Sequence, residues 1–298
     1  MFKLPPMSAV RVFEAAARHQ SFTRAAAELG MTQAAVSYQI KLLEDRIGTP
    51  LFRRLPRHVE LTEKGRELAP AITEAFEALR VAFAAVEESA QTVISLSTLS
   101  TFASNWLIPR LGRFQALHPD IALRIDVSPN IIDFTKEDFD AAIRSGRGGW
   151  PGLTEHPLLS VDFTPVLSPA LAERHELREP ADLLQFPLIA PSDIWWKQWF
   201  AAAGVGEVDL SGRTDHSPGN QHLEGMAAIA GQGAAMVHPL FFKDDLAAGR
   251  LIQPFSLTVR SAHSYWLVYP KARKRIAKIA AFREWLERET QDDAQRSA

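Results

Sequence analysis

The sequence predicts a multi-domain chain: a small, mostly helical head carrying one hairpin, a connecting helix, and a larger body of α/β class. Three observations carry this. Residues 1–66 hold 11 Lys+Arg against 6 Asp+Glu and the remainder 22 against 29, so the net charge of -2 averages a basic head with an acidic body. All seven tryptophans lie between Trp106 and Trp285. Near Thr92 the hydrophobic spacing changes from helical periodicity to alternating strands and helices. The length of 298 residues accommodates two or three domains, and 46% hydrophobic against 23% charged residues excludes global disorder. The complete absence of cysteine excludes disulfide frameworks, thiolate metal sites and cysteine nucleophiles. With no secretory leader pattern and no apolar run of spanning length, a cytoplasmic protein without a membrane partner is expected.

Three helices read out of the first 48 residues. Ser8 is expected to cap the first, with Val10, Phe13 and Ala17 on one face. The second follows Ser21, turns Phe22, Ala25, Ala26 and Leu29 inward, and stops at Gly30. The third follows Thr32, aligns Val36, Ile40, Leu43 and Ile47, and ends at Gly48. Gly30-Met31-Thr32 between them is the tight turn of a helix-turn-helix. The third helix turns Gln33, Ser37, Tyr38 and Lys41 outward. Gln can bridge the N6 and N7 edge of adenine, Ser can bond several bases, and Lys can bond phosphate or guanine. Phe52 to Leu61 reads as a hairpin with Arg53, Arg54 and Arg57 at its tip and Pro56 in its turn. A basic hairpin beside a recognition helix is a wing, which points to double-stranded DNA as the partner of the head.

From Thr62 a helix is expected to about Glu88, with Leu68, Ile72, Ala75, Leu79, Ala82 and Val86 forming a heptad seam, Phe76 and Phe83 widening it, and Pro70 costing it a backbone hydrogen bond or kinking it. In the body, Val93–Ser97, Ile121–Val127, Phe139–Ile143, Phe163–Leu167 and Tyr265–Tyr269 read as strands. Helices are expected around Trp106–Phe114 and over Trp195–Ala203, His222–Ala230 and Ala272–Arg288, with Gln291–Ala298 a polar tail. The alternation predicts parallel α/β sheets.

These residues carry a family resemblance. Ser21-Phe22-Thr23-Arg24-Ala25-Ala26-Ala27, Thr32-Gln33-Ala34-Ala35-Val36-Ser37, Ile40-Lys41-Leu42-Leu43-Glu44, Pro50-Leu51-Phe52-Arg53-Arg54 and Leu61-Thr62-Glu63-Lys64-Gly65 occur in order and resemble the winged helix-turn-helix of LysR-type transcriptional regulators. Asn105-Trp106-Leu107-Ile108-Pro109-Arg110-Leu111 and Gly146-Arg147-Gly148-Gly149-Trp150-Pro151-Gly152-Leu153 resemble the subgroup that includes the glycine-cleavage activator and the β-lactamase regulator. Tyr38 departs from the cationic side chain that many members of the wider family carry at that position. The resemblance implies a DNA-binding domain over 1–61, a linker and dimerisation helix over 62–90, and an effector-binding domain over 91–298. That last domain is expected to have two lobes of the type 2 periplasmic-binding-protein kind, about 91–162 with 265–298 and about 163–264.

The DNA-contacting set is then Ser21, Thr23, Arg24, Thr32, Gln33, Ala34, Ser37, Tyr38, Lys41, Arg53, Arg54 and Arg57. An antiparallel linker-helix dimer, or a dimer of such dimers, would read an interrupted palindrome, with RNA polymerase a further candidate partner. A small anionic effector is expected between the lobes. Ser100, Thr101 and Phe102 at a helix start, the Arg144 and Arg147 turn, and Ser192, Trp195, His216, Ser217, Asn220 and His238 across the cleft are its candidate contacts. No cofactor, metal or catalytic residue is expected. The chain has no Gly-x-Ser-x-Gly elbow, phosphate-binding Gly-rich loop or His-Glu-x-x-His, and His216, His222 and His238 fit no metal-ligand spacing.

Overall fold

The computed structural model describes residues 4–55, 58–84, 92–174 and 176–296. In the head, α1 (Met7–His19), α2 (Phe22–Leu29) and α3 (Gln33–Ile47) pack around Phe13, Phe22, Val36, Ile40 and Leu43. Pro6, rather than Ser8, precedes the first helix, because Ser8 already lies in its first turn. Ser21 and Thr32 cap as expected: their side chains accept from the backbone N–H of Arg24 and Ala35. Gly30 ends α2 at φ 63° and Gly48 ends α3 at φ 79°, left-handed positions that favour glycine. Ile47, expected inward, is 41% exposed in the last turn of α3.

The hairpin is β1 (Phe52–Arg54) paired antiparallel with β2 (Val59–Leu61). Arg53 and Arg54 lie within β1 rather than at the tip, while Pro56 and Arg57 fall outside the described residues. Glu44 of α3 anchors this wing, accepting from the backbone N–H of Leu51 at 2.7 Å and of Phe52 at 3.1 Å. Thr62 then accepts from Gly65 N–H and donates to the Pro50 carbonyl, capping the next helix. A side chain at Gly65 would run into the Leu51 carbonyl, which explains a glycine in the first turn.

That helix, α4 (Glu63–Ala84), runs unbroken through Pro70, which is exposed and, as expected, withholds one N–H from the Arg66 carbonyl. The seam is divided in use. Leu68, Ile72 and Phe76 pack against the head core, whereas Ala75, Leu79, Ala82 and Phe83 are exposed, and Val86 lies outside the described residues.

The body contains one six-stranded mixed sheet of order β4-β3-β5-β8-β6-β7, where parallel sheets were expected. The strand β3 (Thr92–Thr98) leads into a continuous helical run: α5 (Ser100–Phe102), a π-turn over Ala103–Leu107, and α6 (Ile108–Leu117). Then come β4 (Ile121–Val127), β5 (Ala141–Gly146) and the long β6 (Leu153–Val166). The second lobe adds α7 (Pro169–Ala172), α8 (Ile194–Ala202), α9 (Gln221–Ile229), β7 (Ala235–Val237) and α10 (Lys243–Ala247). The chain returns along β8 (Val259–Pro270), makes a 3-10 turn over Lys271–Arg275, and closes with α11 (Ala277–Arg296).

Strand β3 pairs parallel with β4 and β5, while β8 runs antiparallel to β5 and β6. The two long strands join the lobes, pairing Asp162 with Arg260 and Phe163 with Val259 at the crossing. The segment 139–140, expected in a strand, precedes β5; Asp140 instead accepts from Ser95 N–H. Residues 291–296 of the expected polar tail are the end of α11, drawn in because Asp293 accepts from Trp106 Nε1 at 2.7 Å and pairs with the buried Arg110 at 2.9 Å. Lys243, from the second lobe, reaches the same carboxylate at 3.4 Å. Among the described residues no helix is long and apolar enough to cross a membrane, and no group of three or more His, Cys, Asp or Glu is placed to hold a metal ion.

Candidate DNA-reading surface and effector cleft

On α3, Gln33, Ala34, Tyr38 and Lys41 are exposed and Ser37 is half-buried; Tyr38 is 64% exposed, unusual for an aromatic ring that no other chain covers. Thr23 and Arg24 of α2 are exposed, with Ser21 half-buried and Thr32 exposed at the two helix caps. Helix dipole and free first-turn amides make such caps suitable phosphate contacts. Arg53 and Arg54 are exposed on the wing, and the Arg54 guanidinium lies 5.6 Å from the Phe22 ring centroid. The twelve expected DNA-contacting residues, apart from Arg57, therefore occupy one helix-turn-helix and its wing. Sequence reasoning quoted Glu44 within a motif but assigned it no role; its two backbone bonds hold the wing at the end of the recognition helix.

The cleft is assembled from the carboxyl ends of strands. From the first lobe come Thr98 and the helical run that starts at Ser100. From the second come the loops after Ile189 and His216, which form an isolated parallel bridge, and His238 after β7. The lobes touch: Thr101 Oγ1 accepts from His222 N–H at 3.1 Å, His222 Nδ1 is 2.6 Å from Asn105 Oδ1, and Asn105 Nδ2 donates to the Phe241 carbonyl at 2.9 Å. Phe102, Phe241 and Tyr265 pack edge to face or tilted with centroids 5.3–6.1 Å apart, and His238 lies 4.7 Å from Phe241. Thr98 Oγ1 and both His238 ring nitrogens are buried without a well-formed hydrogen bond. Burial holds the His238 imidazole down to about 4, against the opposing charge of Asp162, so the ring is neutral at pH 7. Burial, and then the nearby Asp193 charge, push Glu224 of α9 up to about 7.

The structure thus gathers Ser100, Thr101, Phe102, Asn220 and His238 at the lobe junction, with Asn220 capping α9 through Leu223 N–H. It does not gather all the expected residues there. Arg144 points to the sheet face opposite that of Ile143 and Leu267, where it donates to Ser97 Oγ at 2.7 Å. Arg147 is exposed in a turn held by Glu155, which accepts from Gly149 and Trp150 N–H. His216 lines a separate cavity of about 330 Å³ with Leu188, Ile189 and Arg213. Ser192 and Ser217 are exposed on the loops, and Trp195 stacks on Phe163 at 4.8 Å. Asn105, His222 and Tyr265 were missed as site residues. Asn105 stood in a quoted motif, but nothing local in the sequence shows that a π-turn aims it across the cleft.

A winged helix-turn-helix with an exposed polar reading face, joined by a long helix to a two-lobed α/β domain, defines a ligand-responsive class of DNA-binding regulator. Residues 7–66 match the family described as bacterial regulatory helix-turn-helix protein, lysR family, and residues 87–291 match the LysR substrate binding domain. The chain is 39% identical to the HTH-type transcriptional activator AmpR of Citrobacter koseri, over 94% of this chain and 97% of that protein. It is also 39% identical to the glycine cleavage system transcriptional activator of Escherichia coli K12, over 95% of this chain and 93% of that one. The solved effector domain of AmpR from Pseudomonas aeruginosa superposes with a TM-score of 0.61 at 32% identity, covering 69% of this chain and 98% of that structure. The protein belongs to the LysR family of transcriptional regulators. It is a DNA-binding regulator with an effector-binding domain, and its relatives are regulators, not enzymes.

Proposed function

We propose that this regulator, acting in the cytoplasm without cofactor or metal, dimerises through α4 and changes its assembly when a small anionic metabolite occupies the interlobe cleft. One observation carries the ligand reading: the helical run from Ser100 starts at the lobe junction beside Thr98, whose buried hydroxyl has no partner. First-turn amides and hydroxyls at such a start suit a carboxylate or phosphate. The reading draws no support from Arg144, whose Nη atoms bond Ser97 Oγ and the Ile143 carbonyl on the opposite sheet face. The exposed Leu79 and Phe83 face of α4 supports a second copy as its cover, and two-fold pairing of heads fits an interrupted palindrome. Dimers that pair again into tetramers would bend the promoter, and effector binding would alter that bend only by favouring one closure state of the lobes over the other.

The test begins with genomic-fragment selection at physiological salt. Enrichment of a few promoters sharing an interrupted palindrome supports the reading; uniform retention overturns sequence-specific recognition. Metabolites handled by the genes beside those promoters are then screened by thermal shift. A stabilising anion whose effect disappears in Thr101→Val supports the cleft site, and an undiminished shift in that variant removes it.

A further inference from the structure

Arg273 lies in the 3-10 turn between β8 and α11 and is 2% exposed, although it carries a full charge. Two distant parts of the chain satisfy it. Its Nε donates to Glu77 Oε1 of α4 at 2.5 Å, and its Nη1 donates to the Phe139 carbonyl of the first lobe. The guanidinium carbon lies 5.9 Å from the Phe134 ring centroid. Glu77 is held from the other side by Arg80 at 2.9 Å, one turn further along α4. Burying an arginine is costly unless its partners are fixed, so removing either partner loosens the contact sharply.

The surroundings concentrate the docking at this point. Alongside it, a groove of about 960 Å³ runs between α4 and the first lobe, lined by Thr73, Phe76, Ile131, Phe134 and Trp150 among others. Helix and body therefore do not pack along their whole length. Leu79, Ala82 and Phe83 are exposed on α4 while Glu77 is engaged, so that face stays open to a second copy. Strand β8, which carries Tyr265 at the lobe junction and crosses between the lobes, ends immediately before the turn that holds Arg273.

We propose that Arg273 and Glu77 form a joint that fixes the DNA-binding arm to its own effector domain, so that the arm follows the first lobe as one body. This requires neither an identified effector nor a DNA site, and its failure is separable from failure of the proposed function. The absence of native cysteine allows a clean test on the full chain. Asp45→Cys on α3 and Gln115→Cys on α6, both at exposed positions, take spin labels, and excess unlabelled protein suppresses distances between subunits. A double electron–electron resonance measurement should return one narrow distance distribution. Glu77→Gln should broaden and displace it while leaving the thermal midpoint of the effector domain unchanged. Arg273→Gln should do the same, and the double variant should be no broader than either single one. Because loss of the buried Arg273 can perturb the body itself, Glu77→Gln, on the linker helix, decides. A distribution still narrow and unmoved in Glu77→Gln overturns the joint, as does additive broadening in the double variant.

Discussion

The reading surface of the head and the cleft of the body solve opposite problems. On α3 the functional side chains stand exposed, because a DNA duplex is larger than the domain and must be met by a surface. In the cleft the polar groups are buried, and several are already bonded across the lobes, the enclosed setting that the proposed small ligand would need. The contrast extends to what holds each region together. The head packs alanines, phenylalanines and branched aliphatics around short helices with good caps. The body adds a buried ionic cluster of Arg110, Asp293 and Glu289 that fastens its last helix to its first. The head has an ion-pair cluster too, but Arg18 with Glu14 and Glu28 sits nearer its surface. Enclosure needs the lobes and their closing helix held in a fixed relation.

The contrast can be broken at its strongest point first. Asp293→Ala removes the acceptor of the Trp106 indole N–H and the nearest carboxylate of the buried Arg110, leaving that guanidinium Glu289 at 3.8 Å and the Trp106 carbonyl, and should cost about 3 kcal/mol in a urea titration followed by tryptophan fluorescence. A loss below about 1 kcal/mol would show that the cluster contributes no more than an exposed pair.

Next in size is the pH response of the cleft. Glu224 titrates near 7 in the fold and near 4.5 when unfolded, so the fold favours its protonated form. Its contribution is fully present below pH 4.5 and is lost as pH rises through about 7, by at most about 3 kcal/mol. Glu224→Gln should therefore flatten the stability profile between pH 5 and 8, as measured by denaturant midpoints. An unchanged slope would relocate the titrating group.

On the head, Gln33→Ala and Ser37→Ala should relax sequence preference by about 1–3 kcal/mol per lost base contact, measured by competition between selected and scrambled duplexes. Arg53→Ala should weaken binding to both duplexes alike and reduce the salt slope by about 1. Smallest of all, Ser21→Ala removes the cap bond to Arg24 N–H and should lower head stability by about 1 kcal/mol in thermal melts. An indifferent melt would leave the α2 start held by packing of Phe22 alone.

Much of the head was legible in advance because its determinants are local. Caps at Ser21 and Thr32, stops at Gly30 and Gly48, and helical spacing of Val36, Ile40 and Leu43 act within a few residues of the backbone they shape. Ser8 and Ile47 failed at helix ends, where the boundary itself and the neighbours beyond it decide a side chain's surroundings. The linker seam was visible as a period, but its division between the head core and a free face was not, since a period does not say which neighbour covers which turn. The cleft was legible as two lobes and a helix start. Its membership was not: Arg144 and Ser100 both stand at strand ends, and the pleat alone sends the arginine to the opposite face.

Local chemistry therefore settles the three-part organisation, the helix-turn-helix, the basic wing and the absence of cysteine chemistry, because charge, capping and periodicity are properties of short segments. Contacts between residues far apart in the chain belong to the tertiary structure. Asn105 meets His222 across 117 residues, Trp106 meets Asp293 across 187, and Glu77 meets Arg273 across 196. No local pattern encodes such partners. They arise when long strands curl one sheet through two lobes and bring buried polar groups within reach of the bonds that burial makes necessary.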